Sequence, residues 1–201
     1  MKLSSIIYYL ARPQLIIQRL QYAIYVRRHP DEPWLSPDSV RFLDKNLNKK
    51  MTLFEWGSGR STLWFAKRVK DVVSIEYHSG WAQKVEKMLQ DKSVRNVELC
   101  YIPLEHPIKE PTPKHYDPIP KYVSKIFSYP KKHFDVVLID GHYRLTCADQ
   151  CLDSVKEGGI LVIDNSNRVS LEEWAIPKSW PIVHESENVV TRTTVWKKQS
   201  L

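Results

Sequence analysis

Four carboxylates stand where apolar runs stop. Leu53 and Phe54 lead into Glu55, Val72 to Ile75 into Glu76, Phe134 to Ile139 into Asp140, and Ile160 to Ile163 into Asp164. Read as parallel strands, these runs bring the acids to the carboxyl edge of one sheet, where α/β proteins bind their ligands. Acids so placed have two kinds of chemistry open to them. A carboxylate that accepts the hydroxyls of a ribose gains charge-assisted bonds of about 1.5–3 kcal/mol. A carboxylate beside an acceptor hydroxyl can instead serve as general base, and His142, close after Asp140, is a second candidate for that task. Gly57-Ser58-Gly59 lies between the first two acids and permits a tight turn whose N–H groups approach a ligand closely. Glu76 follows that turn by about 20 residues, the spacing at which a nucleotide-binding unit holds its ribose. Arg144 has two uses, clamping an anionic substrate or pairing with Asp140.

The elements that must position these residues follow from pattern. Ser61 and Thr62 suit a helix start and Leu63 to Val69 continue it, so Met51 to His78 reads as strand, turn, helix, strand. A helix is expected from Trp81 to Leu89 and a third strand from Val97 to Ile102. The run FDVVLI is that of a central parallel strand buried on both faces. Leu145 to Lys156 is expected to be helical, closed by Gly158-Gly159. Ser36-Pro37 suits an N-cap and first helical position, followed by Val40, Leu43 and Leu47 on one face. Pro181 to Glu185 and Thr191 to Lys198 read as two strands around a turn at Glu187-Asn188. Residues 103–133 hold seven prolines and three histidines, with Ile119, Tyr122, Val123, Ile126 and Phe127 at helical spacing. They read either as a roof over a substrate pocket or as a surface excursion. Trp34 is either a ligand-stacking ring or a packing anchor.

The stretch from Glu55 to Ser61, with Glu76 beyond it, resembles motif I and the following acidic position of class I S-adenosylmethionine-dependent methyltransferases. Ser61 stands where that family has its third glycine. The resemblance implies a Rossmann-like, doubly wound α/β fold with a mostly parallel sheet and a C-terminal antiparallel hairpin. It implies S-adenosylmethionine as cofactor, with Glu55 near the methionine end. Gly57, Ser58, Gly59, Ser61 and Thr62 would run along the ligand, with Glu76 on the ribose and Asp140 beside it. It also implies that the helix after Ser36 covers the cofactor cleft. Asp140 and Asp164-Asn165 resemble the ligands of catechol and caffeoyl-coenzyme A O-methyltransferases, which implies Mg²⁺ held by Asp140, Asp164 and Asn165. Tyr143 replaces the lysine of the catechol type. Asp140-Gly-x-x-Arg144-x-x-Cys147 with Asp164-Asn-Ser looks like a group of small bacterial-type methyltransferases.

The reaction so implied is methyl transfer to an oxygen of a small molecule or glycan, with Asp140 or His142 as base where no metal takes part. Nucleic-acid N-methyltransferases carry an Asn/Asp-Pro-Pro-aromatic run after the fourth strand. Asp140-Gly141-His142-Tyr143 lacks it, which disfavours a nucleic-acid acceptor. Two rivals stand beside this reading. One is a non-catalytic module of the same fold that binds a membrane or a partner. The other is a nicotinamide-dependent oxidoreductase, a class that generally lacks the hairpin.

The chain of 201 residues suits one domain, 31–201, preceded by an arm, 1–30. The net charge is +7, and the arm contributes Lys2, Arg12, Arg19, Arg27 and Arg28 with no acid, so the excess belongs to the arm rather than to a groove. No run in the arm reaches the roughly 18 apolar residues of a membrane span, and no secretory cleavage pattern is present. A cytoplasmic protein is expected, with a helix starting at Pro13 whose Ile16, Ile17, Leu20, Ala23 and Ile24 form one apolar face. Two readings of residues 3–27 stay open: packing on the domain or on a second subunit, or attachment to the inner face of an anionic membrane. Three unpaired cysteines fit a reducing compartment, and Cys147 and Cys151 share a helix face suited to the core.

Overall fold

The computed structural model describes residues 13–107 and 111–199. Alternation along the strands decides where the acids lie. Parallel strands β1 (Thr52–Trp56), β2 (Asp71–Glu76), β3 (Val97–Tyr101), β4 (Phe134–Ile139) and β5 (Val155–Asp164) join the antiparallel pair β6 (Ile182–Glu187) and β7 (Arg192–Lys197) in one sheet. Its order is β3-β2-β1-β4-β5-β7-β6. Leu53, Val72, Val136, Val162 and Val195 point into one apolar layer, while Phe54, Val73, Val137, Ile163 and Trp196 point into the other. Side chains alternate with period two. Glu55, Glu76, Asp140 and Asp164 therefore all continue the first layer's face. That face is covered by α2 (Pro37–Asn46) and α3 (Arg60–Ala66).

Register completes the placement. Glu55 stands opposite Ser74 in the β1–β2 ladder, and Asp164 opposite Thr193 in the β5–β7 ladder. Ile139 pairs Ile163, so Asp140 and Asp164 leave the sheet side by side. The chain order reverses between β1 and β4, which makes that crevice the topological switch point. The C-terminal hairpin forms as expected, with β7 inserted between β5 and β6.

Three expectations are corrected. The helix α6 (Arg144–Gln150) ends before Lys156, because Val155 already pairs Phe134 and is buried. Gly158 and Gly159 do not close a helix but form a bulge in β5, across which Phe134 pairs Val155 while Val136 pairs Ile160. Gly158 has φ +74°, and a Cβ on Gly159 would lie 2.9 Å from the Asp135 carbonyl oxygen. The helix after Ser36 does not cover the cleft. Ser36 does cap it, but Val40 and Leu43 are buried against Leu53, Val136, Val162 and Val195 on the sheet face. Of the readings left open for residues 3–27, packing of the apolar face on the domain is not the one adopted by the described residues, since α1 (Pro13–Arg28) buries none of its residues. Residues 1–12 of the arm lie outside the described residues.

Part of the segment 103–133 packs on the sheet. The short helix α5 (Lys121–Ser124) and the 3₁₀ turn after it bury Tyr122, Val123 and Ile126 beside the carboxyl ends of β1 and β4. Trp56 Nε1 donates to the Tyr122 carbonyl at 2.9 Å. Cys147 and Cys151 are fully buried core residues, as expected.

Candidate active site

The glycine turn is held from below. Thr62 and Ser74 hydroxyls both donate to Glu55 Oε1, the latter at 2.7 Å. Thr62 Oγ1 in turn accepts the Gly59 N–H at 2.9 Å, which fixes the start of α3. Glu55 is completely buried, and desolvation raises its carboxyl to about 7 against the lowering effect of these hydroxyls. In this structure Glu55 props the turn from behind and does not line the cavity on its ligand side. Ser74 was hidden in the sequence as a polar residue inside an apolar strand, and its placement opposite Glu55 is what would have revealed it.

The ligand side of the turn is a cavity of about 120 Å³ lined by Trp34, Gly57, Ser58, Gly59, Arg60, Ser61, Trp81 and Asp140. Its floor needs glycine. Gly57 has φ +98°, and a Cβ there would meet the Gly141 nitrogen at 2.8 Å, so the backbones after β1 and β4 touch at the switch point. Trp81, in the first turn of α4 (Ser79–Asp91), donates its indole N–H to the Ser58 carbonyl at 2.7 Å. Trp34 is 54% exposed with the Arg60 guanidinium over its ring at 5.1 Å, so it lines the cleft rather than anchoring a core.

Glu76 stands beside this turn with every acceptor position used. Ser58 donates its N–H and hydroxyl to Oε2 at 3.2 and 3.0 Å, and the Tyr77 and His78 N–H groups donate to Oε1 at 2.9 and 2.8 Å. A ribose diol offers the same kind of donor that Ser58 now supplies, so the donor chemistry fits a nucleoside. The volume does not yet fit, since small-molecule pockets start at roughly 300 Å³. Ser58 holds Oε2, and Trp81 closes against the turn through the Ser58 carbonyl.

Across the switch point, Arg144 ties the ends of β4 and β5 together. Its Nη2 donates to Asp140 Oδ1 at 3.0 Å and to the Asp140 carbonyl at 2.7 Å, its Nε to the Gly141 carbonyl at 2.9 Å, and its Nη1 to the Asp164 carbonyl. The pairing use of Arg144 is thus the one adopted. Burial and the neighbouring Asp164 push the Asp140 carboxyl above the usual carboxylate range, against the pull of Arg144. Asp164 is also raised by burial, while the Thr193 and Thr191 hydroxyls donate to its Oδ1 at 2.7 Å each.

Two expected roles are not assembled. His142 is 2% exposed and wedged beside Tyr77 and Tyr143, with ring centroids at 5.9 and 4.8 Å, and it does not line the cavity. Burial, then Arg144, lowers its pKa below the usual histidine value. Asp140, Asp164 and Asn165 do not form a Mg²⁺ ligand set. Asp164 is engaged by two threonines, and Asn165 Nδ2 donates to Thr191 Oγ1 at 2.8 Å. Among the described residues no group of three His, Cys, Asp or Glu side chains is placed to hold a metal ion. The residues missed in the sequence are Ser74, Trp81, Thr191, Thr193 and Tyr122.

No family model and no curated relative matches the sequence. Solved structures match its fold. A methyltransferase-like protein from Silicibacter pomeroyi is 21% identical with a TM-score of 0.60, covering 85% of this chain and 90% of that one. An rRNA methylase from Streptococcus thermophilus is 15% identical with a TM-score of 0.60, covering 81% and 95%. An RNA methyltransferase from Salinibacter ruber, bound to S-adenosyl-L-homocysteine, is 14% identical with a TM-score of 0.55, covering 84% and 95%. With the sheet order and the inserted β7, these matches establish the Rossmann-like class I methyltransferase fold.

Proposed function

We propose that the protein is an S-adenosylmethionine-dependent methyltransferase acting on an oxygen of a small molecule or glycan. The observation that carries this reading is the pair of carboxylates flanking the glycine turn at the switch point, Glu76 on the β2 side and Asp140 on the β4 side. Glu76 takes the ribose hydroxyls in place of Ser58, and Gly57 to Ser61 form the floor beneath the cofactor. The bound cofactor supplies an electrophilic methyl on a sulfonium, so the chain has to align an acceptor and take its proton. Asp140 lines the cavity, its Oδ1 is fixed by Arg144, and its raised carboxyl titrates closer to neutral pH, as a general base requires. His142 and a metal set have no part in this scheme, because their side chains are engaged elsewhere.

RNA joins the acceptor screen as a second class, since two of the matched structures are RNA methylases by name. The arguments against it are the segment Asp140 to Tyr143 and the confinement of the excess charge to the arm. The test is calorimetric titration of S-adenosylhomocysteine and of NAD into the folded chain and its Glu76→Gln variant. Micromolar binding of S-adenosylhomocysteine, weakened about 150-fold or more by the substitution, is expected from two lost charge-assisted bonds of about 1.5 kcal/mol or more each. Tight NAD binding without binding of S-adenosylhomocysteine would leave the oxidoreductase, and no binding by folded protein would leave the non-catalytic module.

A further inference from the structure

Helix α1 turns its apolar face the wrong way for a packing helix. Its inward side is formed by Leu15, Gln18, Tyr22, Tyr25 and Val26. The Tyr22 hydroxyl donates to the Leu35 carbonyl at 3.4 Å, and Gln18, Tyr22 and Tyr25 line a cavity of about 420 Å³ shared with Glu187 and Asn188 of the hairpin turn. The outward side carries Ile16, Ile17, Leu20, Ala23 and Ile24, of which Ile17 is 55%, Leu20 58% and Ile24 50% exposed. Arg19, Arg27 and Arg28 are exposed on the same helix, and it has no acidic residue.

We propose that this outward face docks the protein on an anionic lipid bilayer, with Ile16, Ile17, Leu20 and Ile24 entering the headgroup region and the arginines meeting lipid phosphates. Charge decides between the available occupants. A second copy of α1 packed on this face would bring arginines to arginines, and the helix carries no carboxylate to offset them. An anionic bilayer accepts both the apolar face and the cations, each arginine contributing roughly fivefold to partition. Lys2 and Arg12, upstream in the sequence, add to the same charge. No described helix is long and apolar enough to cross a membrane, so α1 lies in the interface plane. The helix also sits close to the carboxyl edge of the sheet: its cavity is shared with Asn188, whose N–H donates to the Thr191 carbonyl at 2.9 Å, and the Thr191 hydroxyl donates to Asp164 at 2.7 Å. Docking through α1 therefore brings that edge near the lipid surface.

The test is co-sedimentation of the full chain with vesicles of phosphatidylcholine alone or mixed with phosphatidylglycerol, and it is independent of any reaction. Binding is expected only to the mixed vesicles. It should fall at least tenfold in Ile17→Glu/Leu20→Glu/Ile24→Glu, by about 25-fold or more in Arg27→Glu/Arg28→Glu, and strongly at about 0.5 M salt. The melting temperature of the triple variant should match the parent, since those side chains are solvent-exposed. Absence of binding at low salt, or binding unchanged by the triple variant, overturns the proposal. So does a solution dimer that the triple variant dissociates, which would assign the face to a second copy.

Discussion

The two sides of the switch point treat their carboxylates differently. On the β2 side, Glu76 is nearly buried yet surrounded by four donors from its own chain, none of them charged. On the β4 side, Asp140 and Asp164 leave adjacent strands together and have Arg144 for both. Asp140 has a second acid, Asp164, beside it, whereas Glu76 is met by neutral donors, and burial acts on both sides. A carboxylate given neutral donors in fixed directions is suited to recognising hydroxyls. A carboxylate crowded by another acid holds its proton to higher pH and is suited to exchanging it.

That contrast can be broken or sharpened by substitution. The largest effect is expected from Asp140→Asn, which should lower methyl transfer about a thousandfold, within the range of general-base catalysis, while leaving S-adenosylhomocysteine affinity within about threefold. The parent rate should rise with pH through a titration above the ordinary carboxylate range, and the variant should lose that rise. Equal losses in rate and affinity would erase the division of labour. Gly57→Ala comes next, because it strains a positive φ and drives a Cβ into the Gly141 backbone. Urea denaturation should show a loss of about 3 kcal/mol or more, and a loss under 1 kcal/mol would mean the two turns are not locked together.

Glu55→Gln tests the prop beneath the turn. The folded pKa of Glu55 is raised from 4.5 to about 7, so the folded chain holds this proton more tightly than the unfolded one. Its contribution is most favourable below about pH 4.5 and falls as pH rises to about 7, by roughly 3 kcal/mol. The stability of the parent relative to the variant should drop by that amount across the window, and a flat difference would place Glu55 in contact with water. The smallest effect is expected for Ser58→Ala. Freeing Glu76 Oε2 of one neutral hydrogen bond, about 1 kcal/mol net, should tighten S-adenosylhomocysteine binding about fivefold by calorimetry. Weaker binding would mean that the hydroxyl helps to hold the ligand.

Strand ends and the glycine turn were legible in the sequence because both are local. Five strand runs, four of them ending in an acid, need only period and length, and the sheet realises all five. What needed the third dimension was the partner of each acid. Glu55 reads as a ligand contact until the register sets it against Ser74 under α3. Asp164 reads as a metal ligand until β7, some 30 residues later, lays Thr193 beside it. His142 lies outside the cavity for a similar reason: Tyr77 and Tyr143 pack against its ring, and the helix bearing Tyr122 closes over that side of the edge. The start of β5 was missed because Gly158-Gly159 looks the same at a helix end and in a bulge. For α1 the apolar face itself was read correctly. Which way it points is set by two tyrosines on the opposite side, which the domain takes in preference.

The four donors around Glu76 carry a consequence for the heat of ligand binding. This carboxylate is already stripped of water, and its hydrogen bonds are complete before any ligand arrives. A nucleoside that takes Oε2 exchanges one set of internal donors for another and gains none in number. Binding at this point should therefore release little heat of its own, and selectivity for a ribose should reside in how well its hydroxyls reproduce the directions that Ser58 gives up.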